Sequence, residues 1–379
     1  MKVSSLQDNL NKGLSIVQRA VPVRTTLPQA SHVLLATDQG RLKLVATDLM
    51  IATTCWIGAT VEQEGSITVP ARLLTDFVSS LPNDKVDLSV GDRGRQLHIS
   101  CARNEATMAG GSADDFPPVP SVEDGLVLKL EPKQFKRAVS QVEFAAAADD
   151  TRPVLTGIHT LAEGEELTLA AADGFRLAVH KLPLKQEVAE RLEVIIPARA
   201  LREVVRLIGD DAEPLEMAFN AARSQILFRM KTVELVATLI QGTFPNYSQL
   251  IPQSFTTRAT INMKDFLQET RIAGIFARDG AGIVRIQLDP SENGSGGGRL
   301  TISARAEEIG EHRGEMDVKM DGESAKIAFN SKYLQDVLSV LDADSVALET
   351  TSPSSPGVIR PLDTGDSYVH VVMPMFVQW

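Results

Sequence analysis

The feature that most constrains this chain is that it repeats itself three times. The segment Ile67-Thr68-Val69-Pro70-Ala71-Arg72-Leu73-Leu74 returns 127 residues later as Val194-Ile195-Ile196-Pro197-Ala198-Arg199-Ala200-Leu201. A weaker third copy, Ile327-Ala328-Phe329-Asn330-Ser331-Lys332-Tyr333-Leu334, follows after another 133 residues, with Asn330 in place of the proline. Residues 42–48 (LKLVATD), 167–173 (LTLAAAD) and 300–306 (LTISARA) keep the same phase. So do Asp115-Phe116-Pro117 and Thr243-Phe244-Pro245, each followed by a proline-bearing connector. Self-similarity at a fixed period is the mark of one architecture used repeatedly. It divides the chain into 1–122, 123–253 and 254–379. The six extra residues of the third spacing fit the stretch 291–298 (SENGSGGG), a flexible turn between two strand-like runs. As a phosphate cradle that stretch lacks the lysine and the following helix.

Each third reads as an amphipathic helix, short alternating strands, a strand leading into a second amphipathic helix, and more strands. Helices are predicted at 4–20, 70–81, 132–148, 197–208, 263–277 and 330–341. In the first, Leu6, Leu10, Leu14 and Val17 share one face. Pro70 and Pro197 suit a first helical turn, and Asn330 suits an N-cap. The fold class is therefore α+β: three units of two helices and about eight strands, with helices on one face of a sheet. A chain of 379 residues exceeds the ~250–300 residues of a single core.

Composition removes several classes. No run approaches the ~18 apolar residues of a membrane span, and residues 1–5 enter polar–apolar alternation without a signal-peptide core, so a cytoplasmic protein is expected. The only cysteines, Cys55 and Cys101, fit a reducing compartment better than a disulfide framework. The net charge of −11 argues against coating nucleic acid with the whole surface. Yet the six predicted helices hold twelve basic and seven acidic residues, a surplus of five, which leaves −16 for the rest. Arg72, Lys136, Arg137, Arg199 and Arg202 belong to this basic helical layer. Lysine and arginine are good helix formers and could simply be solvated, but six helices in equivalent units favour a phosphate-facing surface. Aromatic residues make up only 5%, so the stacking platforms of single-strand binders are not visible and duplex is favoured.

The catalytic search comes back empty. The six histidines lie far apart without the i, i+4 spacing of a zinc motif, and there is no nucleophile elbow, Walker loop, dinucleotide fingerprint or CxxC pair. The acidic spots Asp114-Asp115, Asp149-Asp150 and Asp210-Asp211 could hold magnesium but read more simply as turns. No metal, cofactor or chemistry is expected.

The chain resembles the bacterial sliding clamps, the beta subunits of DNA polymerase III, over essentially its whole length. The resemblance rests on Arg24-Thr25-Thr26-Leu27-Pro28, Thr68-Val69-Pro70-Ala71-Arg72, Ala172-Asp173-Gly174-Phe175-Arg176-Leu177-Ala178-Val179, Phe244-Pro245-Asn246-Tyr247 and Val371-Val372-Met373-Pro374-Met375. It implies a homodimer closed head to tail into a ring of six units around duplex DNA, helices inside and sheet outside, tethering the replicative polymerase. It implies a pocket for short peptides of polymerases, clamp loader and repair proteins, formed by Leu155, Gly174, Phe175, Arg176, Leu177, Pro245, Leu250, Asn330, Tyr333, Val371, Met373, Pro374 and Met375. From the residues alone, the two methionines flanking a proline suit either strand-end core or an adaptable binding surface. The resemblance also implies DNA contact by Arg24 and by the loop after the 132–148 helix. There Pro153-Val154 replaces a pair of tyrosines common in relatives, and Arg152 stands next to it. It places Ile275 and Phe276 of one subunit against Thr107 and Met108 of the other. This chain departs from the family pattern at Ala172 and Phe175, where a threonine and a histidine are usual, and in its apolar end Phe376-Val377-Gln378-Trp379. The competing readings are a self-assembling, peptide-binding scaffold without DNA and a magnesium-dependent phosphoryl-transfer enzyme.

Overall fold

A computed structural model describes residues 1–91, 94–120, 122, 125–209, 213–278, 281–291, 296–306, 308, 310–362 and 365–379. The first third runs β1 (Lys2–Leu6), α1 (Gln7–Val17), β2 (His32–Asp38), β3 (Arg41–Thr47), β4 (Ile51–Ile57), β5 (Thr60–Gln63), β6 (Ser66–Pro70), α2 (Ala71–Ser79), β7 (Lys85–Val90), β8 (Gln96–Cys101) and β9 (Asn104–Ala109). The second runs β10 (Val127–Leu130), α3 (Pro132–Val142), β11 (Gly157–Ala172), β12 (Arg176–Pro197), α4 (Ala198–Leu207), β13 (Leu215–Phe219), β14 (Gln225–Arg229) and β15 (Val233–Thr238). The third runs β16 (Thr257–Asn262), α5 (Met263–Ala277), β17 (Ile283–Pro290), β18 (Gly297–Ala306), β19 (Gly310–Gly322), β20 (Ala325–Asn330), α6 (Ser331–Val340), β21 (Ser345–Thr350), β22 (Gly357–Pro361) and β23 (Tyr368–Val372).

Each third carries two α-helices, as predicted, but the described residues hold nine, six and eight strands. The middle third has fewer because β11 and β12 are 16 and 22 residues long, kept continuous through register shifts between Ala162 and Glu166. The helix predicted over 4–20 begins only at Gln7, since Val3, Ser4 and Ser5 are held in β1 between β5 and β7. Pro70 and Pro197 close β6 and β12 and precede their helices rather than opening them. Asn330 is the N-cap of α6, its side chain accepting from the Lys332 backbone N–H at 2.9 Å. Residues 292–295, within the glycine-rich stretch, and Asp210 and Asp211 lie outside the described residues; Pro290 and Gly298 pair at the flanking ends of β17 and β18.

The chain parts into two compact units that do not follow the sequence thirds: 1–132 with 203–239, and 133–202 with 240–379. Hydrogen bonding gives the reason. In the first unit β15 pairs with β4, which extends one sheet in the order β10-β13-β14-β15-β4-β3-β2-β6. In the second, β12 pairs with β23, within the order β11-β12-β23-β22-β21-β16-β19-β18-β17-β20. A five-stranded sheet, β5-β1-β7-β8-β9, completes the first unit.

In the first unit Leu10, Leu14 and Val17 of α1 are buried with Leu44, Cys55 and Ile57, each such side chain contributing ~1.5–3 kcal/mol. A Cβ on Gly13 would meet Leu44 Cδ1 at 2.7 Å, so only glycine lets this helix lie so close to β3. The second unit buries Phe266 and Ala273 of α5, Phe329 of β20 and Leu334 of α6. No helix of the described residues is long and apolar enough to cross a membrane.

Candidate functional site

Within the second unit, Phe175, Arg176, Leu177, Tyr333, Val371 and Met373 of the expected peptide pocket come together around the turn between β11 and β12. Asp173 makes that turn: its Oδ1 accepts the backbone N–H groups of Phe175 at 2.9 Å and Arg176 at 3.1 Å. Gly174 sits at φ +94°, where other residues are strained, and a Cβ there would also meet the Arg152 guanidinium. The turn thus thrusts Phe175 outward, 58% exposed, while Arg176 turns inward.

Arg176 is the keystone. Its Nε donates to Asp173 Oδ2 at 3.0 Å, Nη1 to Asp336 Oδ2 of α6 at 2.7 Å, and Nη2 to the Phe144 carbonyl at 2.6 Å. The guanidinium lies between two rings, 4.6 Å from the Tyr333 centroid and 5.3 Å from that of Phe144. Tyr333 in turn stacks on Phe175, centroids 6.4 Å apart. The Tyr333 hydroxyl is pushed above its ordinary range by burial, then by the Asp173 carboxylate.

Leu177 and Val371 form a buried floor with Val179, Val358 and Val369, on which Tyr247 and Ile251 pack. Leu155 is buried with Ile195 and Phe244. Above the floor, Leu250 and Met373 are 51% and 41% exposed, and Pro245 is exposed. The chain end is held by its backbone, the Met373 N–H donating to the Phe175 carbonyl at 2.8 Å and the Met375 N–H to the Ala328 carbonyl at 2.7 Å. Pro374 is half-buried, Phe376 is fully outward, and Trp379 has Lys326 Nζ over its ring at 5.6 Å. Main-chain hydrogen bonds around a cluster of exposed apolar side chains suit an extended peptide.

Sequence reasoning passed over Asp173, Phe144, Tyr247 and Asp336. The Asp-Gly turn was a visible signal for the first; the rest depend on pairings across 32 to 160 residues. Beneath Arg176 lie His370 and Tyr368, whose His370 nitrogens and Tyr368 hydroxyl have no partner among the described residues. Burial, then Arg176, lowers His370 to about 3; burial, then Arg137, lowers His180, bonded to Gln141 at 2.8 Å, to about 4.

The expected cationic residues are all exposed. Arg24 and Arg72 in the first unit and Lys136 in the second make no side-chain hydrogen bond or ion pair with a described residue. Arg202 is engaged by Glu143 at 2.6 Å, Arg137 by the Asp342 carbonyl at 3.5 Å and Arg152 by the Asp173 carbonyl at 2.8 Å. α3 stops at Val142, short of the expected 148, and a 3-10 turn follows. Of the expected interface residues, Thr107 and Ile275 are exposed, and Phe276 is half-buried, stacked on His312 at 5.7 Å. Met108 is 5% exposed with its side chain in the core of the first unit, so of this pair the pleat turns Thr107 outward. Among the open strand edges, two carry or adjoin the expected interface residues. β9 pairs only with β8, and residues 310–318 of β19 pair only with β18, since β16 takes just Lys319 to Gly322.

No group of three potential metal ligands occurs among the described residues. Comparison with known proteins then decides the family. Models of the N-terminal, central and C-terminal domains of the DNA polymerase III beta subunit match residues 1–120, 129–246 and 248–376. The chain belongs to the DNA polymerase III beta subunit family. As a beta sliding clamp it is a processivity factor for DNA synthesis and performs no catalysis itself. It is 34% identical to the beta sliding clamp of Synechococcus elongatus over 378 residues and 30% identical to that of Staphylococcus epidermidis over 384, covering 99% of both chains each time. Its fold matches the sliding clamp of Bacillus subtilis with a TM-score of 0.94 at 28% identity, over the full length of both. A Pseudomonas aeruginosa sliding clamp bound to griselimycin matches at 0.91 and 28%, again over both full chains.

Proposed function

We propose that two copies of this chain, each of three domains divided near 122 and 253, close head to tail into a ring around duplex DNA. The ring tethers the replicative polymerase, clamp loader, other polymerases and repair proteins through the peptide site at Phe175, Tyr333, Leu250 and Met373. The observation that supports the ring is that two open strand edges, β9 and the first half of β19, lie at the expected interface residues. An open edge with Thr107 outward and one packed against the helix of Ile275 and Phe276 are what a repeated strand-to-strand contact between copies needs. The exposed Arg24, Arg72 and Lys136, together with Arg137, Arg152, Arg199 and Arg202, face the phosphates without reading bases, so the ring slides. A ring that acts on chromosomal DNA works in the nucleoid-bearing cytoplasm.

The test is retention on nicked circular DNA at high salt after loading by the matched loader, before and after the circle is cut. Salt-resistant retention that vanishes on linearisation is expected. Loss by salt alone points to electrostatic binding and favours the scaffold reading.

A further inference from the structure

On the sheet of the second unit, one cross-strand row runs from the floor of the peptide site to two arginines that nothing above uses. Leu177 faces Val371, Val371 faces Val358, Val358 faces Glu349, and Glu349 faces Arg258. Directly opposed residues share a sheet face, so Leu177 and Arg258 end one continuous row. Arg360, two residues after Val358, lies on that face as well.

Glu349 is nearly buried and holds both cations by one side only: Arg360 Nε at 3.4 Å and Arg258 Nε at 3.6 Å. The four terminal guanidinium nitrogens give no hydrogen bond to a described residue. They border a hollow of about 340 Å³ that is also lined by Pro252, Phe255 and Leu362. Phe255 and Leu362 are 38% and 39% exposed, and Arg258 lies 5.7 Å from the Phe255 ring. The wall is fixed: the Thr256 hydroxyl donates to the Thr351 carbonyl at 3.0 Å, and the Thr351 hydroxyl to the Ser254 carbonyl at 3.3 Å.

Two guanidiniums against one carboxylate leave one net positive charge, with idle donors in the fork geometry that suits a carboxylate. The hollow continues the peptide site, because the segment bearing Leu250 packs Ile251 on the shared floor and then supplies Pro252 and Phe255. At ~4.8 Å per strand, Glu349 is about 10 Å and Arg258 about 14 Å from Val371. An extended peptide covers that with about three or four residues.

We propose that this hollow is a second subsite of the peptide surface, taking an Asp or Glu side chain three or four residues from the peptide's apolar anchor. The inference rests on the peptide-site reading above. Arg258 and Arg360 bind the carboxylate, Glu349 positions them, and Phe255 and Leu362 shield the contact from water.

The test uses the full-length protein and fluorescein-labelled peptides with a Leu-Phe anchor, carrying Glu or Gln four residues before or four after it, with amidated C-termini. Fluorescence anisotropy is expected to give at least fivefold tighter binding for one Glu peptide over its Gln twin. That ratio falls to about one in Arg258→Gln/Arg360→Gln and is partly kept in Arg360→Lys. Unchanged high-salt retention on circular DNA and unchanged affinity for the Gln peptide show that the double variant is folded. Equal binding of Glu and Gln peptides, or a ratio that survives in the double variant, overturns the subsite while leaving the main site standing. A ratio abolished by millimolar phosphate as readily as by free Glu peptide overturns it in favour of a general anion hole. No peptide binding at all, with Phe175→Ala equally inert, overturns the peptide-site reading itself.

Discussion

Replacing Arg176 by methionine separates the electrostatic role of this residue from its bulk. The side chain is 9% exposed and loses three charge-assisted hydrogen bonds, to Asp173, Asp336 and the Phe144 carbonyl. At ~1.5–3 kcal/mol each, the gross loss is about 4–9 kcal/mol. Several partners survive. Asp336 keeps Lys332 Nζ at 3.0 Å, and Asp173 keeps its two backbone donors. Both carboxylates are also reached by water, at 15% and 21% exposure. The net cost therefore falls near the lower end of the ~3–5 kcal/mol typical when one partner of a buried pair is removed, about 3 kcal/mol.

Urea unfolding followed by Trp379 fluorescence measures it, since this tryptophan lies in the same unit over Lys326. A cycle with Asp336→Asn is expected to return a coupling of about 1–2 kcal/mol. Peptide affinity falls in parallel, because the Phe175 turn and Tyr333 lose their common brace. A cost under about 1 kcal/mol, or a coupling of zero, would refute the keystone assignment.

Acid sensitivity follows from His180 and His370, whose folded values of about 4 and about 3 lie below the ordinary 6.5. The unfolded chain takes up these protons first, so their contribution is intact above pH 6.5 and is lost as pH falls toward 4, by roughly 3 kcal/mol for His180; in His370→Leu the drop in urea midpoint between pH 7 and 4.5 shrinks. Ile275→Asp places a charge beside the open β19 edge and is expected to convert a species of twice 41.0 kDa into one of 41.0 kDa by sedimentation at micromolar concentration. Arg72→Gln/Lys136→Gln removes two free cations and reduces the salt slope of DNA binding by about two, with peptide affinity unchanged. Gly322→Ala, at φ +100° and with its new Cβ against the Thr256 carbonyl, costs at least about 2 kcal/mol by thermal unfolding.

What could be read from the residues was whatever repeats or is local. The threefold recurrence fixed two helices per third, and the 263–277 helix coincides with α5 because Asn262 caps it and the apolar spacing persists to Ala277. Residues 4–6 of β1 fall within the helix expected over 4–20 because Leu6 fits either period, and only pairing with β5 and β7 decides between them. The outward turn at Phe175 was signalled by Asp173-Gly174. The Arg176 brace was not, because Phe144 and Asp336 reach it from distant elements. Equal thirds in sequence also hid the two-unit division, which depends on β15 joining β4 and β12 joining β23.

The position of β23 has a mechanical consequence. It ends at Val372, between the floor residue Val371 and the exposed Met373, and is laced between β12 and β22 by antiparallel pairs on both sides. A pull on a peptide lodged against Met373 and directed along the strand strains those pairs in shear. They then share the load together instead of parting one at a time. The chain end thereby becomes a tension-bearing anchor, able to hold cargo against drag without further covalent reinforcement.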